Sequence, residues 1–223
     1  MIVVQMDFDN TISVGNVSIE LRNEFAPAIW REMEKEYTSG KFSVEESNVR
    51  QYALIPFGQS QIQSFVLANC YLKDGFSEFV ETCYSLGAIP VIVSSGLDFY
   101  IVPLIEREGL KNLQIISAKG SFHKSGIEVN YFGPNGKQIS KGFKEAYLRD
   151  FKAAGHTVIY FGDNESDFVA ASEADFVFAC DSLVQYCKLN SIPHKEFRDY
   201  FDAQEILVEK FDSFNSRGFY GNF

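Results

Sequence analysis

The chain has 223 residues, 46% of them hydrophobic and 15% aromatic, which fills one sizeable core and excludes a disordered chain. A formal charge of −10 at pH 7 argues against nucleic acid or an anionic membrane as partner, so a phosphate-bearing ligand would need cations gathered locally. Four cysteines without Cys-x-x-Cys spacing, no basic leader and no apolar run of membrane-spanning length point to reduced thiols and a cytoplasmic protein.

Residues 2–6 form an apolar, β-branched run without polar alternation, as in a strand buried on both faces of a parallel sheet. Residues 14–86 then hold helical patterns and no convincing strand. One pattern runs through Ile19, Leu21, Phe25, Ile29, Trp30 and Met33 and stops near Ser39-Gly40. A second opens on Ser43-Val44-Glu45-Glu46, a capping-box spacing, and ends before Pro56. A third covers 61–69. Together they suggest a small helical cap inserted after the first strand. Phe76, Phe79, Val80, Cys83 and Tyr84 then share one helical face, with Gly87 as the stop before a strand at 89–93. Residues 98–108 and 142–154 are helical and 113–116 is a weaker strand. The turn-rich ends of 121–136 flank a candidate β-hairpin. Strand-length runs recur at 157–161 and 176–179, and the Gly-, Asn- and Ser-rich tail 212–223 is expected to fray. Strands alternating with helices predict an α/β protein, a Rossmann-like doubly wound parallel sheet. Its core would comprise 1–13 and 87–223, with the cap at 14–86.

Three polar clusters follow predicted strands: Asp7-Phe8-Asp9-Asn10-Thr11, Ser94-Ser95-Gly96 and Gly162-Asp163-Asn164-Glu165-Ser166-Asp167. The carboxyl edge of an open α/β sheet is where ligands bind. In extended chain Asp7 and Asp9 point the same way, and Asp163 and Asp167 could join them around a hard cation such as Mg²⁺. A calcium EF-hand loop does not fit, because Ile12 stands where that loop needs glycine. The cation facing the carboxylates is Lys144 or Lys141; the apolar periodicity Lys144, Tyr147, Leu148, Phe151 favours Lys144. Asp98 and Asp181-Ser182 suit helix starts. His123, His156 and His194 lack ligand spacing, and Phe25, Trp30 and Phe65 suit a cap core.

Asp7-x-Asp9-x-Thr11, Ser94 after an apolar strand, Lys144 and Gly162-Asp163-x-x-x-Asp167 resemble, in order, the four motifs of the haloacid-dehalogenase superfamily. The resemblance implies a nucleophilic Asp7 that also ligates Mg²⁺. It implies that Asp9 protonates the leaving oxygen, then activates water, and offers its main-chain carbonyl to the metal. Thr11, Ser94, Ser95 and Lys144 would bind phosphate, with Asp163 on the metal and Asp167 supporting it directly or through water. The early helical cap is similar to that of the phosphoserine-phosphatase branch. Phe25-Ala26-Pro27, Phe65-Val66-Leu67, Gly75-Phe76-x-x-Phe79-Val80 and Leu97-Asp98-Phe99-x-x-x-Pro103-Leu104 resemble the methionine-salvage phosphatases acting on 2-hydroxy-3-keto-5-methylthiopentenyl-1-phosphate. Asn16 stands where phosphoserine phosphatases carry an acidic residue for the substrate's amino group, and is a candidate specificity residue. Residues 133–141 lack the cysteine-rich stretch of the methionine-salvage enzyme. The expected function is magnesium-dependent hydrolysis of a small phosphorylated metabolite through an aspartyl-phosphate at Asp7. A phosphotransferase or mutase would use the same residues. A phosphoacceptor module without turnover would not need the long cap.

Overall fold

A computed structural model describes residues 1–217, with side chains as far as Phe214. In chain order the elements are β1 (Ile2–Met6), α1 (Val17–Phe25), α2 (Trp30–Thr38), α3 (Val44–Tyr52), α4 (Gln59–Asn69), α5 (Phe76–Ser85) and β2 (Ile89–Leu97). There follow α6 (Asp98–Arg107), β3 (Gln114–His123), β4 (Gly126–Asn130), α7 (Phe143–Ala153), β5 (Thr157–Gly162) and α8 (Phe168–Glu173). The last four are β6 (Phe176–Ala179), α9 (Asp181–Leu189), β7 (His194–Glu196) and α10 (Tyr200–Arg217).

The strands form one sheet of order β4-β3-β2-β1-β5-β6-β7, parallel throughout except for β4, which returns antiparallel beside β3. This is the expected doubly wound α/β architecture. The two-residue period of a strand is visible in β5. Val158 and Tyr160 join a core with Leu148, Ala170 and Leu183, whereas Ile159 and Phe161 join the larger core with Phe79 and Tyr200. With both faces covered, β1, β2, β5 and β6 carry continuous apolar runs, which is why they were legible. β1 lies centrally between β2 and β5, so strand order reverses at its carboxyl end and opens a crevice there.

Four departures from the sequence reading have physical causes. The pattern taken as one helix from Ile19 to Ser39 is two helices, because Pro27 restricts Ala26, which caps α1 at φ −91°, ψ 144°. β7 has an exposed or half-buried face and no apolar pattern to announce it. Residues 212–217 continue α10 instead of fraying, anchored by Phe211 and by Phe214 against Phe176; residues 218–223 lie outside the described residues. Asp98 starts α6, but its side chain accepts from the Gly120 amide of β3 and does not cap the helix. The Ser43 capping box of α3 is formed, with Ser43 and Glu46 exchanging bonds as expected.

α5, grouped with the cap in the sequence reading, packs on the sheet and α10: Phe79 meets Phe161 and Tyr200, and Phe76 meets Tyr200. Helices α1–α3 line the crevice at the carboxyl edge instead, and α4 packs on α6 and α1. Among the described residues no helix is long and apolar enough to cross a membrane.

Candidate active site

β1 ends in a tight turn in which Ile12 and Ser13 both donate to the Phe8 carbonyl. Buried Phe8 pins this turn to the core, and Asp7 and Asp9 are delivered to the crevice. Asn10 adopts a left-handed φ of 59°, uncommon for a residue with a side chain, and its Nδ2 donates to Asp163 Oδ2 at 3.2 Å. Asp163 leaves the end of β5, and Gly162 before it has a physical reason to be glycine: an added Cβ would stand 2.6 Å from Asp167 Cγ. Gly96, next to last in β2, is equally constrained, since its Cβ would lie 2.2 Å from the Tyr100 hydroxyl.

Asp7, Asp163 and Asp167, all buried, bring carboxylate oxygens within 4.8 Å of one another, the one such group among the described residues. Lys144 reaches into them from the first turn of α7, with Nζ 2.8 Å from Asp7 and 2.6 Å from Asp167 and donating also to Ser166 at 2.8 Å. Lys141 is exposed and outside this cluster, so the ammonium facing the carboxylates is that of Lys144. One ammonium against three carboxylates leaves an excess of two negative charges when all are ionised.

The electrostatics follow. Burial, offset in part by Lys144 and reinforced by Asp167, pushes Asp7 up to about 6. Burial and then the charges of Asp167 and Asp7 push Asp163 up to about 8. Burial also acts to raise Asp167, but Lys144, the Tyr160 hydroxyl and the Asp163 amide overcome it and hold Asp167 below the usual carboxylate range. For Lys144, burial favours the neutral amine, yet Asp167 and Asp7 outweigh it and the ammonium is held. All four Asp167 contacts are donors: Lys144 and Tyr160 on Oδ1, and the Asp163 and Asn164 amides on Oδ2.

The Asp9 carboxylate stands apart from the trio, because Tyr100 donates to Oδ2 at 2.7 Å and the Ser18 amide to Oδ1 at 3.2 Å. Burial raises its pKa, with those two bonds and Arg22 opposing. Thr11 lies behind Asp163, its hydroxyl 3.4 Å from Oδ1, and does not line the crevice. Ser94 accepts from the Gly96 amide at 3.0 Å, and the buried Ser95 hydroxyl has no protein partner. Asn16 lines the crevice while its Oδ1 caps α1 by accepting from Ile19. Asp181 and Ser182 start α9 and also line it.

Besides Tyr100, four more participants escaped the sequence reading. Gln5 of β1 donates to the Lys144 carbonyl, fixing the start of α7 from inside the core. Glu45 of α3 accepts from the Phe143 amide, so a cap residue occupies the α7 N-terminus. Asn48 of α3 donates to the Ser95 carbonyl and Tyr131, and Arg22 of α1 is buried on the crevice wall. Only a polar residue inside an apolar run, as at Gln5, offered any signal.

The crevice measures about 450 Å³ and is closed on one side by α1–α3. It combines a carboxylate suited to attack phosphorus, a buried ammonium, the Asp9 carboxyl whose pKa burial raises, and a cluster deficient in positive charge. That combination suits phosphoryl chemistry at a metal-assisted site.

No family model matches the chain. It is 30% identical over 92% of its length to a 2-hydroxy-3-keto-5-methylthiopentenyl-1-phosphate phosphatase of Geobacillus kaustophilus, covering 95% of that protein. It is 28% identical to the protein of that name from Bacillus pumilus, covering 91% of this chain and 89% of the relative. Among solved structures, a phosphoserine phosphatase trapped as a phospho-aspartyl intermediate analogue superposes with a TM-score of 0.68 at 19% identity, over 93% of this chain and 97% of that one. That likeness shows the fold. The sequence relatives show more: the chain belongs to the 2-hydroxy-3-keto-5-methylthiopentenyl-1-phosphate phosphatase family.

Proposed function

We propose that the protein is a magnesium-dependent hydrolase of a small phosphomonoester, and that the phosphoryl group passes through an aspartyl-phosphate at Asp7. The observation that carries this proposal is the buried convergence of Asp7, Asp163 and Lys144 at the point where strand order reverses. The donor set suits Mg²⁺: every donor is a hard carboxylate oxygen, and Asp163 keeps its proton to about pH 8 unless a cation relieves the crowding. Asp7, Asp163 and the Asp9 main-chain carbonyl would hold the ion, with Asp167 steadying the site directly or through water. When bound, the ion would neutralise charge on the transferring phosphoryl oxygens.

The chain's own residues account for the remaining chemistry. One Asp7 oxygen attacks phosphorus as the ester P–O bond breaks, and Asp9 gives its proton to the leaving oxygen. Burial holds Asp9 above the usual carboxylate range, which suits that duty. Asp9 then takes a proton from water, whose oxygen attacks phosphorus and frees Asp7 and inorganic phosphate. Lys144, Ser94 and Ser95 bind the phosphoryl oxygens, while Thr11 steadies Asp163. Helices α1–α4, as the cap, exclude water from the first step.

The substrate proposed first is the ester for which the relatives are named. Asn16 supports a substrate without an amino group, since it is uncharged and its oxygen already caps α1. A cytoplasmic site of action, with neither nucleic acid nor membrane as partner, belongs to the same proposal and agrees with the charge of −10.

The test is release of p-nitrophenol from p-nitrophenyl phosphate with Mg²⁺ and with EDTA. Asp7→Asn is expected to lower turnover about a thousandfold or more while the circular dichroism spectrum is unchanged. Near-normal turnover in that variant ends the mechanism. Accumulation of a new ester instead of inorganic phosphate, with glycerol as acceptor, would identify a phosphotransferase.

A further inference from the structure

α7 brings Lys144 to the carboxylates, but its own sequence supplies no acceptor for its N-terminus. Gly142 stands at the N-cap with a left-handed φ of 77° and no side chain to accept a bond. The first amides of a helix have no partner inside it, and a buried one needs an acceptor from elsewhere. That acceptor comes from the cap helices: Glu45 Oε1, on α3, accepts from the Phe143 amide at 2.8 Å across 98 positions of sequence. Glu45 is 3% exposed and Phe143 1%. A carboxylate at this point also faces the positive end of the α7 dipole, so the contact is stronger than a neutral hydrogen bond.

Lys144 follows Phe143 directly, so whatever holds the Phe143 amide holds the base of the lysine. The same turn is pinned twice more, by Ser43 Oγ donating to the Ser140 carbonyl at 2.8 Å and by Gln5 Nε2 donating to the Lys144 carbonyl at 2.9 Å. The bonds of the ammonium cannot place it alone, because one of them ends on Asp7, whose oxygen must turn to phosphorus. The backbone of α7 therefore has to keep Lys144 in position through the reaction. Three residues further along α3, on the same face, Asn48 donates to the Ser95 carbonyl at 2.9 Å. One helix thus touches both the start of α7 and the end of β2, the two elements that carry Lys144, Ser94 and Ser95.

We propose that Glu45 is a positioning residue for phosphoryl transfer: its carboxylate, on the cap helix α3, fixes the first turn of α7 and so holds the Lys144 ammonium against the phosphoryl oxygens. The inference rests on the phosphatase reading above and makes α3 a part of the phosphate site as well as its cover. A ligand that shifts α3 shifts Lys144 with it.

The experiment measures kcat, KM and the inhibition constant of inorganic phosphate, with p-nitrophenyl phosphate as substrate and Mg²⁺ present. Glu45→Leu fills the same space without the acceptor. It is expected to lower kcat/KM about thirtyfold and to weaken inhibition by phosphate about tenfold. Glu45→Gln, which keeps an oxygen for the Phe143 amide and drops the charge, is expected to recover to within about fivefold of the wild type. In a Lys144→Met background, Glu45→Leu should cost less than about threefold, since the group it positions is gone. A glutamate that merely supported the fold would set the active fraction alone. Then kcat would fall with KM and phosphate inhibition unchanged, and by the same factor in both backgrounds. Either result overturns the proposal, as does wild-type turnover in Glu45→Leu. Should that variant not fold, Glu45→Asp withdraws the carboxylate from the amide and is judged by the same phosphate inhibition and the same cycle. Absence of magnesium-dependent hydrolysis by the wild-type protein defeats the phosphatase reading itself, whereas wild-type hydrolysis with unaltered phosphate inhibition in the variants defeats only the role of Glu45.

Discussion

Tyr100 and Asp163 show how much of this site is set by single side chains. The Tyr100 hydroxyl donates to Asp9 at 2.7 Å and is one of the contacts holding its pKa down against burial. Tyr100→Phe removes that donor and leaves a buried carboxylate oxygen short of a partner. We expect kcat to fall about tenfold and the alkaline limb of the pH–rate profile to move up, because Asp9 then keeps its proton longer. An alkaline limb that stays in place would show that Tyr100 does not tune Asp9. Asp163 gives a second prediction, of opposite sign to the usual carboxylate case. Its pKa of about 8, and that of about 6 for Asp7, lie above the values of the unfolded chain. The folded metal-free protein therefore binds more protons than the unfolded chain between about pH 4 and 8, and its stability falls as pH rises through that window. Magnesium should reverse the loss by supplying charge, so its effect on Tm should be larger at pH 8 than at pH 6. Equal shifts by scanning fluorimetry at the two pH values would refute this. Asp7, Asp9, Lys144 and Asp163 were legible because each sits at a strand or helix end that periodicity locates. Tyr100, Arg22 and Asn48 were not, since their roles arise only when α1, α3 and α6 converge over β2.

At the scale of elements, the same convergence repairs a defect in α6. Pro103 lies inside this helix and has no amide hydrogen to give the Phe99 carbonyl four residues earlier. Gln63 of α4 donates to that carbonyl at 3.1 Å. A cap helix thus replaces a bond the core helix cannot make. Removing it with Gln63→Ala should cost about 1 kcal/mol of stability. In a Pro103→Ala background, where the helix can make its own bond, the same change should cost a few tenths at most. A double-mutant cycle by urea denaturation measures the difference, and additive effects would mean that Gln63 does not serve the Phe99 carbonyl. Neither residue could be paired from sequence: they are forty positions apart, and Pro103 in isolation argues only that a helix should end. The α1–α2 break was within reach, because Pro27 disfavours helix at Ala26 even though the apolar periodicity continues past it. β7 was not, since three polar residues, two of them exposed, take strand form only because β6 offers them an edge.

The whole molecule joins cap and sheet in one apolar body. Tyr52, Ile55, Ile62 and Val66 of the α3–α4 region belong to the same buried cluster as Phe99, Val93 and Phe161. Polar bonds cross the junction as well: Ser43 to the Ser140 carbonyl, the Phe143 amide to Glu45, and Asn48 to the Ser95 carbonyl. A cap hinged on loops alone would melt before the sheet, and a chain of this length has no obligation to unfold in one step. Shared burial predicts the opposite outcome. Trp30, the single tryptophan of the sequence, is buried at the start of α2 between Arg22 and Arg31, so its fluorescence reports the cap alone. Far-ultraviolet circular dichroism reports every helix. The two thermal transitions should coincide within about 2 °C, no more than the roughly 2–4 °C that 1 kcal/mol moves a domain of this size. A tryptophan signal that melts well ahead of the ellipticity would show that the cap is stabilised separately, and that the crevice opens by local unfolding of α1 and α2.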